Sequence, residues 1–146
     1  MLSWPPRVGI GIIVGWAIVC ATPQGAQAQS KLTAGSSWVN ELGSVLTIDN
    51  VAPNGLMTGT YVTSVGCGAG KPQPMTGWYY SGSTGGAITF SVNWQSCNSV
   101  TSWSGQYNYS NNSFRTLWYL TLASAPAWNG INAGTDTFVP QNTAKK

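Results

Sequence analysis

From residue 36 to residue 139, apolar and aromatic side chains recur at every second position over short stretches, and turn residues separate the stretches. A period of two puts successive side chains on opposite faces of a strand, so the pattern predicts β-structure almost throughout. Eight strands are predicted, over 36–42, 45–50, 56–63, 75–80, 87–94, 101–107, 114–122 and 134–139. The connections carry turn chemistry. Pro53-Asn54-Gly55 offers a fixed φ followed by positions that tolerate positive φ, Ser83-Thr84-Gly85-Gly86 makes a flexible tip, and Ser110-Asn111-Asn112 closes a hairpin. One helical turn around 126–131 is the only helical element the pattern allows.

The faces say more than the strand count. In the fifth strand Ile88, Phe90, Val92 and Trp94 share one side, opposite Thr89, Ser91 and Asn93. In the sixth, Thr101, Trp103, Gly105 and Tyr107 alternate with Ser102, Ser104 and Gln106. Consecutive hairpins with one aromatic face must stack as two sheets or close on themselves. Eight of them can close into an up-and-down antiparallel barrel whose interior holds one small ligand. The seventh strand departs from simple alternation. Trp118, Leu120 and Leu122 face one way, while Leu117 and Tyr119 make the other face apolar too. In a single-layer barrel, the cover for such an outer face can be another subunit.

The N-terminus follows a different pattern. Arg7 precedes an apolar run over 8–19, then a polar stretch and Ala26-Gln27-Ala28. This reads as a secretory signal peptide over 1–28, since the run is too short to span a bilayer. A lipoprotein site at Cys20 is the weaker alternative, because Val19 before it is bulky. Beyond the leader, 29–35 is expected to be a flexible segment, 36–139 the barrel domain and 140–146 a C-terminal tail. Cleavage after residue 28 would leave 118 of the 146 residues, enough for one domain with one core. The product is predicted to be secreted or periplasmic, with no membrane association after cleavage.

Charge narrows the function. The chain has three acidic residues and no histidine, so it lacks the usual equipment for acid–base catalysis. Its basic residues are few, and Lys145-Lys146 in a tail make no nucleic-acid patch. Without Cys20 the cysteines are Cys67 and Cys97, an even pair for which a single disulfide is the default in an exported protein. Zinc would need further ligands, and no base is present to activate a catalytic thiol, so no metal and no cofactor are expected. What remains is an inventory for enclosing a flat neutral ligand: tryptophan walls, hydroxyls and one carboxylate.

The order of motifs then becomes informative. Trp38-Val39-Asn40-Glu41-Leu42-Gly43-Ser44 is followed by Thr58-Gly59-Thr60-Tyr61 and Thr76-Gly77-Trp78. Phe90-Ser91-Val92-Asn93-Trp94 precedes the run Thr101-Ser102-Trp103-Ser104-Gly105-Gln106-Tyr107. Leu117-Trp118-Tyr119-Leu120, Ala127-Trp128 and Asp136-Thr137-Phe138 complete the series. In this order and spacing, over 36–138, the chain resembles the avidin and streptavidin family, its bacterial members in particular.

That resemblance implies high-affinity, non-covalent sequestration of biotin in the barrel interior. It assigns Asn40, Ser44 and Tyr61 as donors to the ureido oxygen, and Thr63 and Asp136 as acceptors of the ureido N–H groups. Thr101 matches the hydroxyl near the thioether sulfur, and Trp94, Trp103, Trp118 and Leu120 match the apolar box. Ser99, with backbone N–H groups near Val65 and Cys67, matches the part that receives the ligand's carboxylate. Trp128 matches the tryptophan that reaches into a neighbour's site, which implies a homotetramer; a homodimer is the alternative. Cys67 and Cys97 match a pair carried by some bacterial members.

Simpler readings compete at several positions. Trp38, Trp78, Phe90 and Tyr107 suit core or barrel-end packing. Asn40 and Ser44, taken alone, are ordinary turn residues. Two glycosylation-type triplets, Asn108-Tyr109-Ser110 and Asn111-Asn112-Ser113, are equally well explained by hairpin turns. A secreted carbohydrate-binding β module is the rival function, but it would display its aromatics on an open face. A glycosidase would need two carboxylates flanking a bond, and alternation puts Glu41 on the opposite face from Asn40.

Overall fold

The computed structural model describes residues 32–126 and 128–141. The expected leader over 1–28, residues 29–31, Ala127 and the last five residues of the expected tail lie outside the described residues. Eight strands form in chain order: β1 Ser37–Asn40, β2 Val45–Val51, β3 Leu56–Val62, β4 Pro72–Ser81, β5 Gly85–Trp94, β6 Ser99–Asn108, β7 Ser113–Leu122 and β8 Ile131–Pro140. Each pairs antiparallel with its sequence neighbour, and β1 pairs with β8, so the sheet closes as an up-and-down barrel.

Closure explains the alternation. Inward positions of β5, from Ile88 through Phe90 and Val92 to Trp94, are buried, as are Thr101, Trp103 and Tyr107 on β6. One end of the barrel is filled. Trp38, Ile48, Met57, Phe90, Tyr107, Phe114 and Phe138 pack there, with Phe114 stacked on Phe138 at 4.7 Å between ring centroids. Aromatic rings bury large areas and add specific ring contacts, so this plug anchors the fold. Toward the other end the inward side chains become polar or stand apart, and the interior opens.

Turn chemistry explains the hairpins. Gly55 has φ +85°, a region that side chains other than glycine rarely adopt, and it ends the predicted Pro53-Asn54-Gly55 turn. Strands β4, β5, β6 and β8 run longer than the alternation suggested, because ladder pairing continues through polar and glycine positions such as Gly85 and Gly86. The stretch 128–130 is turn rather than helix, and the one helical element among the described residues is a 3₁₀ turn at Gln95–Cys97.

Two expectations are corrected. Trp78 does not pack in the core: its register partner Thr89 is outward, and the indole is exposed with it. The inward role falls to Tyr79, one residue on. The segment before β1 is also anchored rather than loose over 32–35. Leu32 is buried in the core, and the Gly35 N–H donates to the Ile48 carbonyl at 2.7 Å. A single leucine among polar residues carries no periodicity, which is why the pattern did not reveal it.

Candidate ligand-binding site

The open half of the barrel encloses a cavity of about 330 Å³. Antiparallel pairing brings its wall together from all parts of the chain: Asn40 ends β1, Ser44 precedes β2, Tyr61 lies near the end of β3 and Thr63 just follows it, Trp94 ends β5, Ser99, Thr101 and Trp103 come from β6, Trp118 and Leu120 from β7, and Asp136 from β8. Val65 and Cys67 contribute from the β3–β4 loop. Every site residue expected from the sequence lines this cavity except Trp128, which is 85% exposed and outside it. Cys97, the second cysteine of the expected pair, lines the wall too, and Leu42, Gly66 and Leu122, which the sequence had not pointed to, complete it. Leu122 shares the inward parity of Trp118 and Leu120, so alternation could have found it; the loop residues carry no such signal.

Polar groups gather at the inner end. The Asn40 side-chain oxygen accepts the backbone N–H groups of Leu42 (3.1 Å) and Ser44 (2.8 Å), which fixes the orientation of its NH₂ group. Ser44 Oγ accepts the Ser64 N–H at 3.0 Å and lies 3.2 Å from Ser64 Oγ, whose own proton goes to the Leu42 carbonyl; the Ser44 hydroxyl is thus a donor that can turn between Ser64 and the cavity. Tyr61 is buried, and burial pushes its phenol far above its ordinary pKa; the Ser44 hydrogen bond opposes this, while the Asp136 and Glu41 charges add to it. The phenol therefore remains a neutral donor. Asn40, Ser44 and Tyr61 thus form a cluster of donors positioned before any ligand arrives.

Acceptors stand beside them, on β8 next to β1 and just after β3. Thr63 Oγ1 donates to the Val65 carbonyl at 2.9 Å and accepts the Val65 N–H at 3.2 Å, which spends its proton and leaves one lone pair. Asp136 is only 5% exposed, and Trp103 Nε1–H donates to its Oδ2 at 2.7 Å. Burial raises the Asp136 carboxyl above the usual range. Donation from Trp103 lowers it, the Glu41 charge raises it, and donation from Asn40 and Trp118 lowers it. A buried carboxylate among apolar strands is costly unless donors surround it, and here they do. On the opposite wall Trp94 Nε1–H donates to Thr101 Oγ1 at 2.8 Å, leaving the threonine proton free.

The aromatic walls are held by their neighbours. Trp103 stacks on Phe90 at 4.8 Å with an 11° interplanar angle and lies 4.9 Å from Tyr61. Trp118 lies across its register partner Gly134, where an added Cβ would fall 2.4 Å from the indole. Glycine at 134 therefore lets the ring sit flat against β8 instead of tipping into the cavity. At the mouth, a Cys67–Cys97 disulfide with Cα atoms 5.9 Å apart ties the β3–β4 loop to the 3₁₀ turn before β6. Among the described residues no cluster of potential metal ligands occurs, and no helix is long and apolar enough to cross a membrane.

Comparison with known proteins follows the same lines. A model of the Avidin family matches residues 28–141. Hoefavidin of Hoeflea phototrophica is 36% identical over 126 residues, covering 75% of this chain and 73% of that protein. Among solved structures, core-bradavidin is 50% identical, with a TM-score of 0.68 over 73% of this chain and 98% of that one. A shwanavidin variant crystallised in complex with biotin is 37% identical, with a TM-score of 0.67 over 76% of this chain and 98% of its own.

Proposed function

The chain belongs to the avidin family, and on that premise we propose that it binds biotin non-covalently inside the barrel. It is a binding protein rather than an enzyme, and biotin is its ligand rather than a cofactor. One observation carries the reading: donors from Asn40, Ser44 and Tyr61 line a single cavity with acceptors on Thr63 and Asp136, inside a frame of Trp94, Trp103 and Trp118. A cyclic urea has that complementary shape, one oxygen that accepts and two N–H groups that donate.

The roles follow from the chemistry. Asn40, Ser44 and Tyr61 would polarise the ureido oxygen in a dry pocket, where hydrogen bonds strengthen one another. Thr63 and Asp136 would take the two N–H groups, with the carboxylate the stronger acceptor. Thr101 would donate to the thioether sulfur, and the tryptophans with Leu120 would cover the rings and valeryl chain. Ser99 and the N–H groups near Val65 and Cys67 would meet the ligand's carboxylate. High affinity is expected because these groups are ordered in advance. Retention on biotin-agarose with no retention on insoluble polysaccharide is the expected result; the reverse pattern would favour the carbohydrate-binding alternative.

The disulfide gives this site a lid. It closes a 30-residue separation, and the chain-entropy model gives roughly 3–4 kcal/mol for a loop of that size. Reduction is expected to speed biotin dissociation more than it slows association, since it frees loops that the bound state needs ordered. Stopped-flow association and competition dissociation, with and without reductant, check this; equal dissociation rates would contradict it.

Assembly as a homotetramer, with Trp128 completing a neighbouring copy's pocket, is supported by two features. The outer face of β7 presents Leu117 and Tyr119, each 56% exposed, an apolar surface suited to a partner subunit. Trp128 itself stands in solvent with φ +68°, a conformation costly for a bulky side chain. A homodimer in which Trp128 covers its own barrel end is the second reading. Secretion through cleavage after Ala28 completes the proposal; two free cysteines in exported protein would count against it.

A further inference from the structure

The barrel closes over one of its two shortest ladders, both made by β1. β1 has four residues and pairs with β8 at three positions only, Trp38 with Pro140, Val39 with Val139 and Asn40 with Phe138. The next pair in that register would be Glu41 with Thr137. It does not form as a ladder, because the chain turns away at Glu41 and Leu42 toward Gly43, whose φ is +85°. Instead the Glu41 side chain supplies the acceptor: Oε2 takes the Thr137 N–H at 2.9 Å.

This contact sits between two groups of the pocket. Glu41 follows Asn40 and Thr137 follows Asp136, so one bond joins the neighbours of a ureido-oxygen donor and a ureido-N–H acceptor from opposite sides of the closing seam. Glu41 itself is exposed and outside the cavity. We propose that Glu41 is a positioning residue for the pocket: its carboxylate replaces the missing β1 backbone acceptor and holds β8 so that Asn40 and Asp136 stay matched. The inference rests on the biotin reading above, and its mechanism is geometric rather than electrostatic.

That distinction makes it testable. The Glu41 charge disfavours the ionised form of Asp136. If Glu41 acted through its charge alone, Glu41→Ala and Glu41→Gln would both favour the carboxylate and tighten binding. If it acts as an acceptor, Glu41→Ala weakens binding while Glu41→Gln, which keeps a side-chain oxygen, does not. The expected result for Glu41→Ala is biotin dissociation faster by about tenfold, the size of coupling between members of one hydrogen-bonded network. Glu41→Gln should stay near the parent rate.

Amide hydrogen exchange at Thr137 in the ligand-free protein gives a readout independent of biotin. Protection is expected in the parent and in Glu41→Gln, and faster exchange in Glu41→Ala. A parent that fails to bind biotin removes the reading of the pocket and the inference with it. A parent that binds, with Glu41→Ala unchanged in dissociation or with both variants altered alike, overturns the inference alone.

Discussion

Asp136→Ala is expected to weaken biotin binding by roughly 30- to 700-fold while leaving the barrel folded, as measured by calorimetric titration and thermal melting. The fold-change corresponds to about 2–4 kcal/mol, the range for losing a charge-assisted hydrogen bond and leaving its donor buried without a partner. The ureido N–H would be stranded, and so would the protein donors that Asp136 accepts: Trp103 Nε1–H at 2.7 Å, with Asn40 and Trp118 beside it. The fold should tolerate the change because the donors around the carboxylate offset only part of the cost of burying it. Burial holds its pKa above the unfolded value. The stability linked to it is therefore fully present below the unfolded pKa and is lost as pH rises through the folded one. At neutral pH the alanine variant is relieved of that cost. Conversely, biotin affinity of the parent should fall as pH drops through the raised Asp136 pKa, since a protonated carboxyl meets an N–H less well. Parent-like affinity in Asp136→Ala would refute the proposed ligand pose.

Trp128→Ala is expected to weaken biotin binding and subunit association together. A tryptophan anchor buried at an interface is worth about 2 kcal/mol or more on truncation, so a shift of at least tenfold is expected in each. Within a single barrel the side chain would do almost nothing, because it is 85% exposed. Its left-handed backbone also carries strain of about 1–3 kcal/mol, which contacts elsewhere must offset. Light scattering of parent and variant, alongside biotin titration, separates the cases. A monomeric parent at micromolar concentration, or a variant unchanged in both properties, would contradict the tetramer.

Much of this architecture was legible because a closed barrel makes period two do double duty. The alternation that gives strands also sorts inside from outside, so Trp94, Trp103 and Trp118 could be put on one surface from sequence spacing. Their grouping around one cavity needed the registers, such as Trp103 opposite Trp118. Trp78 was misread because one aromatic among three, Trp78-Tyr79-Tyr80, fits either parity; Met75 and Gly77, inward with Tyr79, decide it. Leu32 and the rim residues Leu42 and Gly66 were not legible, since loops and lone apolar residues lack periodicity. The seam contact of Glu41 was hidden for another reason. It joins residues 96 apart through a side chain that alternation assigns to solvent.

The central claim is that one biotin occupies each barrel interior against Trp94, Trp103 and Trp118. Titration of intrinsic tryptophan fluorescence with biotin tests it most directly, because the reporters are the walls of the site. The expected result is a change that grows linearly and stops abruptly at one biotin per chain. No change, or a weak gradual one without a stoichiometric end point, would contradict it.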